Sequence, residues 1–158
     1  ANLLTAILAA AAIGIFEATI EKVVALAILM PIVASMGGIA GMQSLALVIR
    51  SQALDQIGSS NSRLLIIKEA SIGVLNGILW SSVVALAVYL WFNSIFLGIV
   101  IASALMINLI IGAISGVSLP LILSKLKIDP ALAGGVILTT ITDIVGFISL
   151  LGIATLIM

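Results

Sequence analysis

Residues 134–146 read GGVILTTITDIVG and place a single carboxylate, that of Asp143, within an apolar run that ends at Met158. At about 1.5 Å per helical residue, Asp143 lies roughly 20 Å from Pro130, near the centre of a bilayer-spanning helix. An unpaired Asp at that depth costs about 2.5–3.5 kcal/mol, so it needs a compensating partner. We interpret that partner as a metal ion.

The composition of the whole chain places it in a membrane. Of 158 residues, 63% are hydrophobic and 8% are charged, whereas soluble domains carry about 25% charged residues. Six basic residues balance six acidic ones, which gives no indication of a nucleic-acid partner. Since the chain has no Cys and no His, a bound metal must be held by oxygen, which favours a hard cation such as Mg²⁺ or Ca²⁺. The sequence contains no nucleophile–base pair and no phosphate-binding loop, so it gives no indication of an enzyme.

Working outward from Asp143, the apolar segments predict an all-α integral membrane domain with five transmembrane helices. The predicted spans of this single domain, residues 1–158, are residues 1–20, 23–49, 70–91, 95–120 and 130–158. The first is short, and the chain begins with Ala1 rather than Met, so we expect it to be an excised part of a longer protein. Asp129 followed by Pro130 predicts a helix N-cap and first helical position.

Breaks in the predicted helices follow from Pro, Gly and polar residues. Pro31 predicts a kink or local unwinding in the second span, and Pro120 is expected to end or bend the fourth. Residues 50–69 form the one plainly polar stretch, with residues 58–62 as its flexible middle.

The distribution of basic residues predicts the orientation. The loops after spans two and four hold Arg50, Arg63, Lys68, Lys125 and Lys127, and the opposite side holds only Lys22. An excess of Lys and Arg marks the cytoplasmic side. These two loops and the N-terminus are therefore expected in the cytoplasm. The protein is expected in the cell membrane, which in a bacterium is the inner membrane.

Asp143 shares one helical face with Gly135, Thr139 and Gly146, because these residues are spaced by four, four and three positions. A small, hydroxylated face around a carboxylate suits a hydrated ion, and Mg²⁺ binds through one or two carboxylates while keeping several waters. Two copies of Asp143 on a two-fold axis would match the charge of a dication. The alternative is a neutral Asp143 that is hydrogen-bonded across a helix interface.

Glycines and amides of the other spans have two interpretations. Gly37, Gly38 and Gly41 leave room for a pore or for close helix packing, and Gly73/Gly77 and Gly112/Gly116 fit the packing motif GxxxG. Gln43 lies deep in an apolar span and should find a partner. Asn76 and Asn108 are expected to hydrogen-bond between helices. Glu17 and Glu21 are expected to be solvated.

The sequence resembles the MgtE family of magnesium channels and transporters over nearly the whole chain. The resemblance rests on residues 16–19 (FEAT), 30–33 (MPIV), 37–44 (GGIAGMQS), 47–50 (LVIR), 129–133 (DPALA) and 139–146 (TTITDIVG). It implies a homodimer whose pore lies at the subunit interface, lined by spans two and five, with Asp143 as the selectivity site. It also implies help from backbone groups near Gly37, Gly38 and Thr139, and cytoplasmic Mg²⁺-sensing domains upstream of this chain.

The chain departs from the family pattern at Ile39 and Met42, where members often have Asn, and near Gly135, where some members have Asn. This puts secondary ion sites on the cytoplasmic side in doubt, but it does not affect the central carboxylate. The residues expected to line or support the pore are Gly37, Gly38, Gly41, Gln43, Gly135, Thr139, Thr140 and Gly146.

The sequence therefore predicts a membrane-embedded homodimer that passes largely hydrated Mg²⁺ down its electrochemical gradient. Two alternatives remain. The first is a secondary cation transporter in which Asp143 binds and releases a proton. The second is a non-conducting membrane scaffold.

Overall fold

The computed structural model of the chain describes residues 2–55 and 61–158, and the described part is built from helices. The predicted flexible loop at residues 58–62 lies largely outside the described residues. The helices are α1 (Asn2–Gly14), α2 (Glu17–Lys22), α3 (Ala25–Ala53), α4 (Ser62–Phe92), α5 (Ile95–Lys125) and α6 (Pro130–Ile157).

Four helices of the described part, α3 to α6, are long and apolar enough to cross a membrane. The first predicted span is divided, because the backbone turns between Gly14 and Glu17 and the Phe16 amide bonds to the Ile13 carbonyl. With 13 residues, α1 is roughly 20 Å long and falls short of a bilayer of about 30 Å. Five full-length spans are therefore not confirmed.

Two helices extend beyond the predicted spans, because they continue through residues that suggested breaks. α4 begins at Ser62 instead of residue 70, since Lys and Glu are good helix formers and extend a membrane helix into the interface. α5 continues past Pro120 to Lys125. α3 likewise contains Pro31 and is an unbroken helix, so the predicted unwinding is absent. Membrane helices tolerate proline where neighbouring groups satisfy the freed carbonyl.

The other helix ends have local causes in the sequence. An Asp129 carboxylate oxygen accepts a hydrogen bond of 2.8 Å from the Ala131 amide, and Pro130 takes the first helical position, so the predicted N-cap is confirmed. α4 ends at Phe92 and is followed by Asn93, which has the left-handed φ of 48°. Ser94 then caps α5 by accepting from the Leu97 amide at 3.3 Å.

α5 lies at the centre of the bundle and packs against α3, α4 and α6. Small residues make this possible: a Cβ added at Gly116 would collide with the carbonyl oxygen of Gly41, and one added at Gly112 would collide with that of Gly37. The packing interpretation of Gly112/Gly116 is therefore confirmed, and it extends to Gly37/Gly41. On the other side of α5, a Cβ at Gly73 would come within 2.9 Å of Ala113 Cβ.

Candidate functional site

A groove of about 570 Å³ runs between α3 and α6 and opens to the outside of the chain. Two of its lining residues come from α6 and the rest from α3. They are Ala34, Ser35, Gly38, Ile39, Met42, Gln43, Ala46, Thr139 and Asp143. We refer to it as the Asp143 groove.

Asp143 is half-buried at the wall of this groove. Within residues 2–55 and 61–158, no hydrogen bond to its carboxylate is found and no Lys or Arg pairs with it. The predicted alternative, a neutral Asp143 hydrogen-bonded across a helix interface, therefore finds no partner in the described part of one chain. The carboxylate is left to face whatever fills the groove.

Thr139 lies one helical turn before Asp143 and is exposed in the same groove. Its hydroxyl donates to its own helix, with the Gly135 and Val136 carbonyl oxygens both at 3.1 Å. A hydroxyl has one proton and two acceptor lone pairs. Because the proton is used within the helix, Thr139 Oγ1 is left as an acceptor beside the carboxylate.

The opposite wall is formed by the glycine-containing face of α3. A Cβ added at Gly38 would lie 3.7 Å from Thr142 Oγ1, which is ordinary contact. Gly38 thus keeps the groove wide without being required by packing. Gln43 is exposed farther along the groove, and its amide makes no hydrogen bond to another described residue, so the expected partner is not found within this part of the chain.

The structure divides the predicted site residues into two groups. Gly38, Gln43, Thr139 and Asp143 line the groove. Gly135 lies behind it, where an added Cβ would meet Met42 Cε at 3.4 Å.

The remaining predicted residues do not line the groove. Gly37, Gly41 and Gly146 are buried and do not line the groove. Thr140 is also absent from the lining, and its hydroxyl donates to the Val136 carbonyl at 2.7 Å.

Asn108 of α5 is fully buried beneath the groove. Its Nδ2 donates to the Val33 carbonyl of α3 at 2.8 Å, and its amide lies against Gly37 and Gly146. The predicted interhelical hydrogen bond of Asn108 is therefore confirmed. The two glycines make room for this amide, which connects α5 to both groove-forming helices.

Sequence reasoning missed two features of the site. Ser35 lines the groove, and its position three residues before Gly38 on a helix could have indicated this. Glu69 was assigned to a polar loop, but it is 6% exposed inside α4. The signal for Glu69 was its spacing from Gly73 and Asn76, four and seven positions later, which puts all three on one helical face.

Comparison with known proteins gives a match over the helices that form the groove. A model of the MgtE family, described as divalent cation transporters, matches residues 30–153, from the start of the groove wall in α3 nearly to the end of α6. The chain belongs to the MgtE family. With its apolar helices, this makes it a multi-pass membrane protein.

Curated MgtE relatives extend this similarity beyond the matched range. The magnesium transporter MgtE of Bacillus subtilis is 41% identical over 143 residues, covering 90% of this chain and 32% of the relative. That of Thermus thermophilus is 32% identical, with the same coverage, and that of Enterococcus faecalis is 29% identical over 94% of this chain and 33% of the relative. The chain thus spans about a third of the length of these MgtE proteins.

Proposed function

We propose that this chain is the ion-conducting membrane domain of a magnesium transporter, with Asp143 as its selectivity site. The observation that carries the proposal is a carboxylate on an apolar, membrane-spanning helix that faces an open groove and has no partner among the described residues of the chain. Ionisable residues within membranes face a cavity or a partner and mark ion pathways. The relatives' printed name, magnesium transporter, agrees with this proposal.

The ion passes as largely hydrated Mg²⁺. Mg²⁺ loses water reluctantly and usually keeps several waters while binding one or two carboxylates. Such an ion presents water hydrogens, so its site needs acceptors. The Asp143 carboxylate, Thr139 Oγ1 and the Gln43 side-chain oxygen supply them along one groove. A groove of about 570 Å³ is wide enough for an ion with its first water shell.

Two copies of the chain complete the pore. One Asp143 supplies a single negative charge, whereas two copies across a two-fold axis supply the two charges that a dication requires. Closed two-fold symmetry is the commonest arrangement of oligomers. The open side of the Asp143 groove is the surface that would face the second copy, so α3 and α6 of both copies surround the ion path.

The remaining assignments extend this proposal. The α3–α4 and α5–α6 connections lie in the cytoplasm, because they carry the excess of basic residues. We place the N-terminus on the same side, which requires a first crossing by α1 and α2 together. Cytoplasmic domains that sense Mg²⁺ precede the chain in the whole protein. The greater length of the relatives is consistent with such domains.

Replacing Asp143 with Asn tests the function directly. We expect Asp143→Asn to lower Mg²⁺ flux into proteoliposomes by at least roughly tenfold, about 1.4 kcal/mol of lost ion stabilisation, because it removes the charge and keeps the shape. The matched control is Asp55→Asn, since Asp55 is exposed at the end of α3 with a φ of 52° that Asn also adopts.

Flux equal to wild type in Asp143→Asn would refute the assignment of the selectivity site. The same vesicles distinguish the proton-coupled alternative. For a channel, Mg²⁺ flux follows the Mg²⁺ gradient and voltage and is unchanged when a pH gradient is imposed or collapsed. Flux that depends on the pH gradient would instead support the secondary transporter.

A further inference from the structure

A second carboxylate, Glu69 of α4, is buried inside the bundle. Its side chain is 6% exposed, whereas Glu17, Glu21, Asp55 and Asp129 are exposed. Ionised carboxylates are almost never fully buried unless they are paired or hydrogen-bonded. Within the described residues, the one polar contact of Glu69 is the Ser44 hydroxyl of α3, which donates to Oε2 at 2.8 Å. The burial of Glu69 is therefore only partly compensated.

Glu69 lines a cavity of about 200 Å³ between α3, α4 and α5, which we call the Glu69 cavity. Its other polar lining residues are Gln43, Ser44 and Asn76, and Gly73 leaves space on the α4 side. A cavity of this size holds several waters, and such sites hold water or ions when they offer several polar partners. A carboxylate, a hydroxyl and two amides form a set of oxygen donors that suits a hard cation.

Among the described residues, Gln43 alone lines both this cavity and the Asp143 groove. On α3, Gly38 and Met42 face the groove, whereas Ala40 and Ser44 face the Glu69 cavity. Gln43 lies at the border between these two faces. Its amide is free of hydrogen bonds to the described residues, so it can serve an ion on either side.

The Glu69 cavity also has a defined position along the ion path. Ser44, which binds Glu69, follows Gly38 of the groove by six positions on α3, or roughly 9 Å toward the Arg50 end. That end carries the basic residues that mark the cytoplasmic side. The cavity thus lies on the cytoplasmic side of Asp143.

We propose that the Glu69 cavity is a second Mg²⁺-binding site, in which Glu69 binds the hydrated ion and Ser44 orients the carboxylate. Gln43 connects this site to the Asp143 groove. The identity of the ion rests on the proposed function, but its binding to Glu69 does not require transport.

Carbodiimide labelling in nanodiscs tests the site without measuring flux. Dicyclohexylcarbodiimide is an apolar reagent that modifies buried carboxyls, and the labelled residue is found by proteolysis and mass spectrometry. The background is Asp143→Asn, so that the groove contributes no carboxylate. We expect Glu69 to be labelled and Mg²⁺ to protect it. The label should disappear in Glu69→Gln, which verifies its assignment.

Two serine variants separate an ion site from a packing contact. Ser44→Ala removes the hydroxyl that donates to Glu69, and we expect about a tenfold increase in the Mg²⁺ concentration that gives half-protection, as for other residues that orient metal ligands. Ser71→Ala is the matched control, because Ser71 is exposed on the same helix as Glu69 and donates only to the Ile67 carbonyl. It should leave protection unchanged.

Labelling of Glu69 that Mg²⁺ does not change would overturn the proposal and leave Glu69 as a packing residue. Protection by Na⁺ but not by Mg²⁺ would overturn the choice of ion. Protection that is present in wild type and lost in Asp143→Asn would show that the groove alone binds the ion. Conversely, unchanged flux in Asp143→Asn together with protected Glu69 would overturn the proposed selectivity site and leave the second site standing.

Discussion

At the scale of single residues, the pair Thr139 and Thr140 separates the groove from its surroundings. Both hydroxyls donate within α6, but only Thr139 lines the groove. Thr139→Val keeps the shape and removes the acceptor for ion-bound water. A hydrogen bond of this kind contributes about 0.5–1.5 kcal/mol, so we expect a roughly three- to tenfold increase in the half-saturating Mg²⁺ concentration for flux.

Thr140→Val is the control for this experiment, because it makes the same chemical change outside the groove. It should leave the half-saturating concentration at the wild-type value. An equal effect of both substitutions would mean that the hydroxyls act through the stability of α6 and not through the ion.

The carboxylates of Asp143 and Glu69 show how far residue-level prediction reaches. Asp143 could be recognised from the sequence, because it stands alone in a long apolar run. Glu69 was harder to recognise, because Arg63 and Lys68 precede it and give the segment the composition of a loop, which outweighed its helical spacing from Gly73 and Asn76. Its burial depends on Ser44, which is 25 positions earlier in the chain. A contact between distant segments carries no local signal.

At the scale of helices, glycine spacing predicts packing but not which glycines open a site. Gly38 and Gly116 illustrate the difference. A Cβ at Gly116 would collide with the Gly41 carbonyl oxygen, whereas a Cβ at Gly38 would make ordinary contact. Gly116→Ala should therefore lower stability by about 1–3 kcal/mol, as overpacking does.

Gly38→Ala should instead keep the stability near wild type and reduce Mg²⁺ flux, because its methyl group enters the groove. Thermal unfolding in detergent and flux into proteoliposomes measure the two effects. A stability loss in Gly38→Ala as large as in Gly116→Ala would contradict the assignment of Gly38 to the groove wall.

Helix boundaries were predictable where caps act and not where tertiary contacts decide. Asp129 and Ser94 start α6 and α5 through side-chain bonds to nearby amides, and both signals are local in sequence. Pro120 is also a local signal, but α5 continues beyond it. Pro120 is buried within the bundle, and packing against neighbours compensates a lost backbone bond that would end an isolated helix.

At the scale of the whole molecule, the proposed dimer places the two Asp143 grooves against each other. The chain has no Cys, so a single introduced thiol reports its own surroundings. We expect Ser35→Cys, within the groove, to form cross-linked dimers with a short bis-maleimide in membranes. Ser82→Cys, on the exposed face of α4, is the matched control and should remain monomeric on denaturing gels.

Efficient cross-linking of Ser82→Cys together with none of Ser35→Cys would place the interface on α4 and refute the proposed pore. The predicted dimer cannot be tested on the structure of one chain. Composition gave the membrane environment, and the motif around Asp143 gave the family, but the partner surface is defined only between two copies.

The contacts of α5 have a further consequence for how such a pore can open. α3 meets α5 backbone to backbone at Gly37/Gly112 and Gly41/Gly116, and α6 is held to the same helix around Asn108 and Gly146. Because glycines bring the backbones of α3 and α5 into direct contact, we expect these two helices to move as one body. Opening of the proposed pore would then tilt or slide α3 and α5 together, so the force that opens it would act on the pair and not on a single hinge.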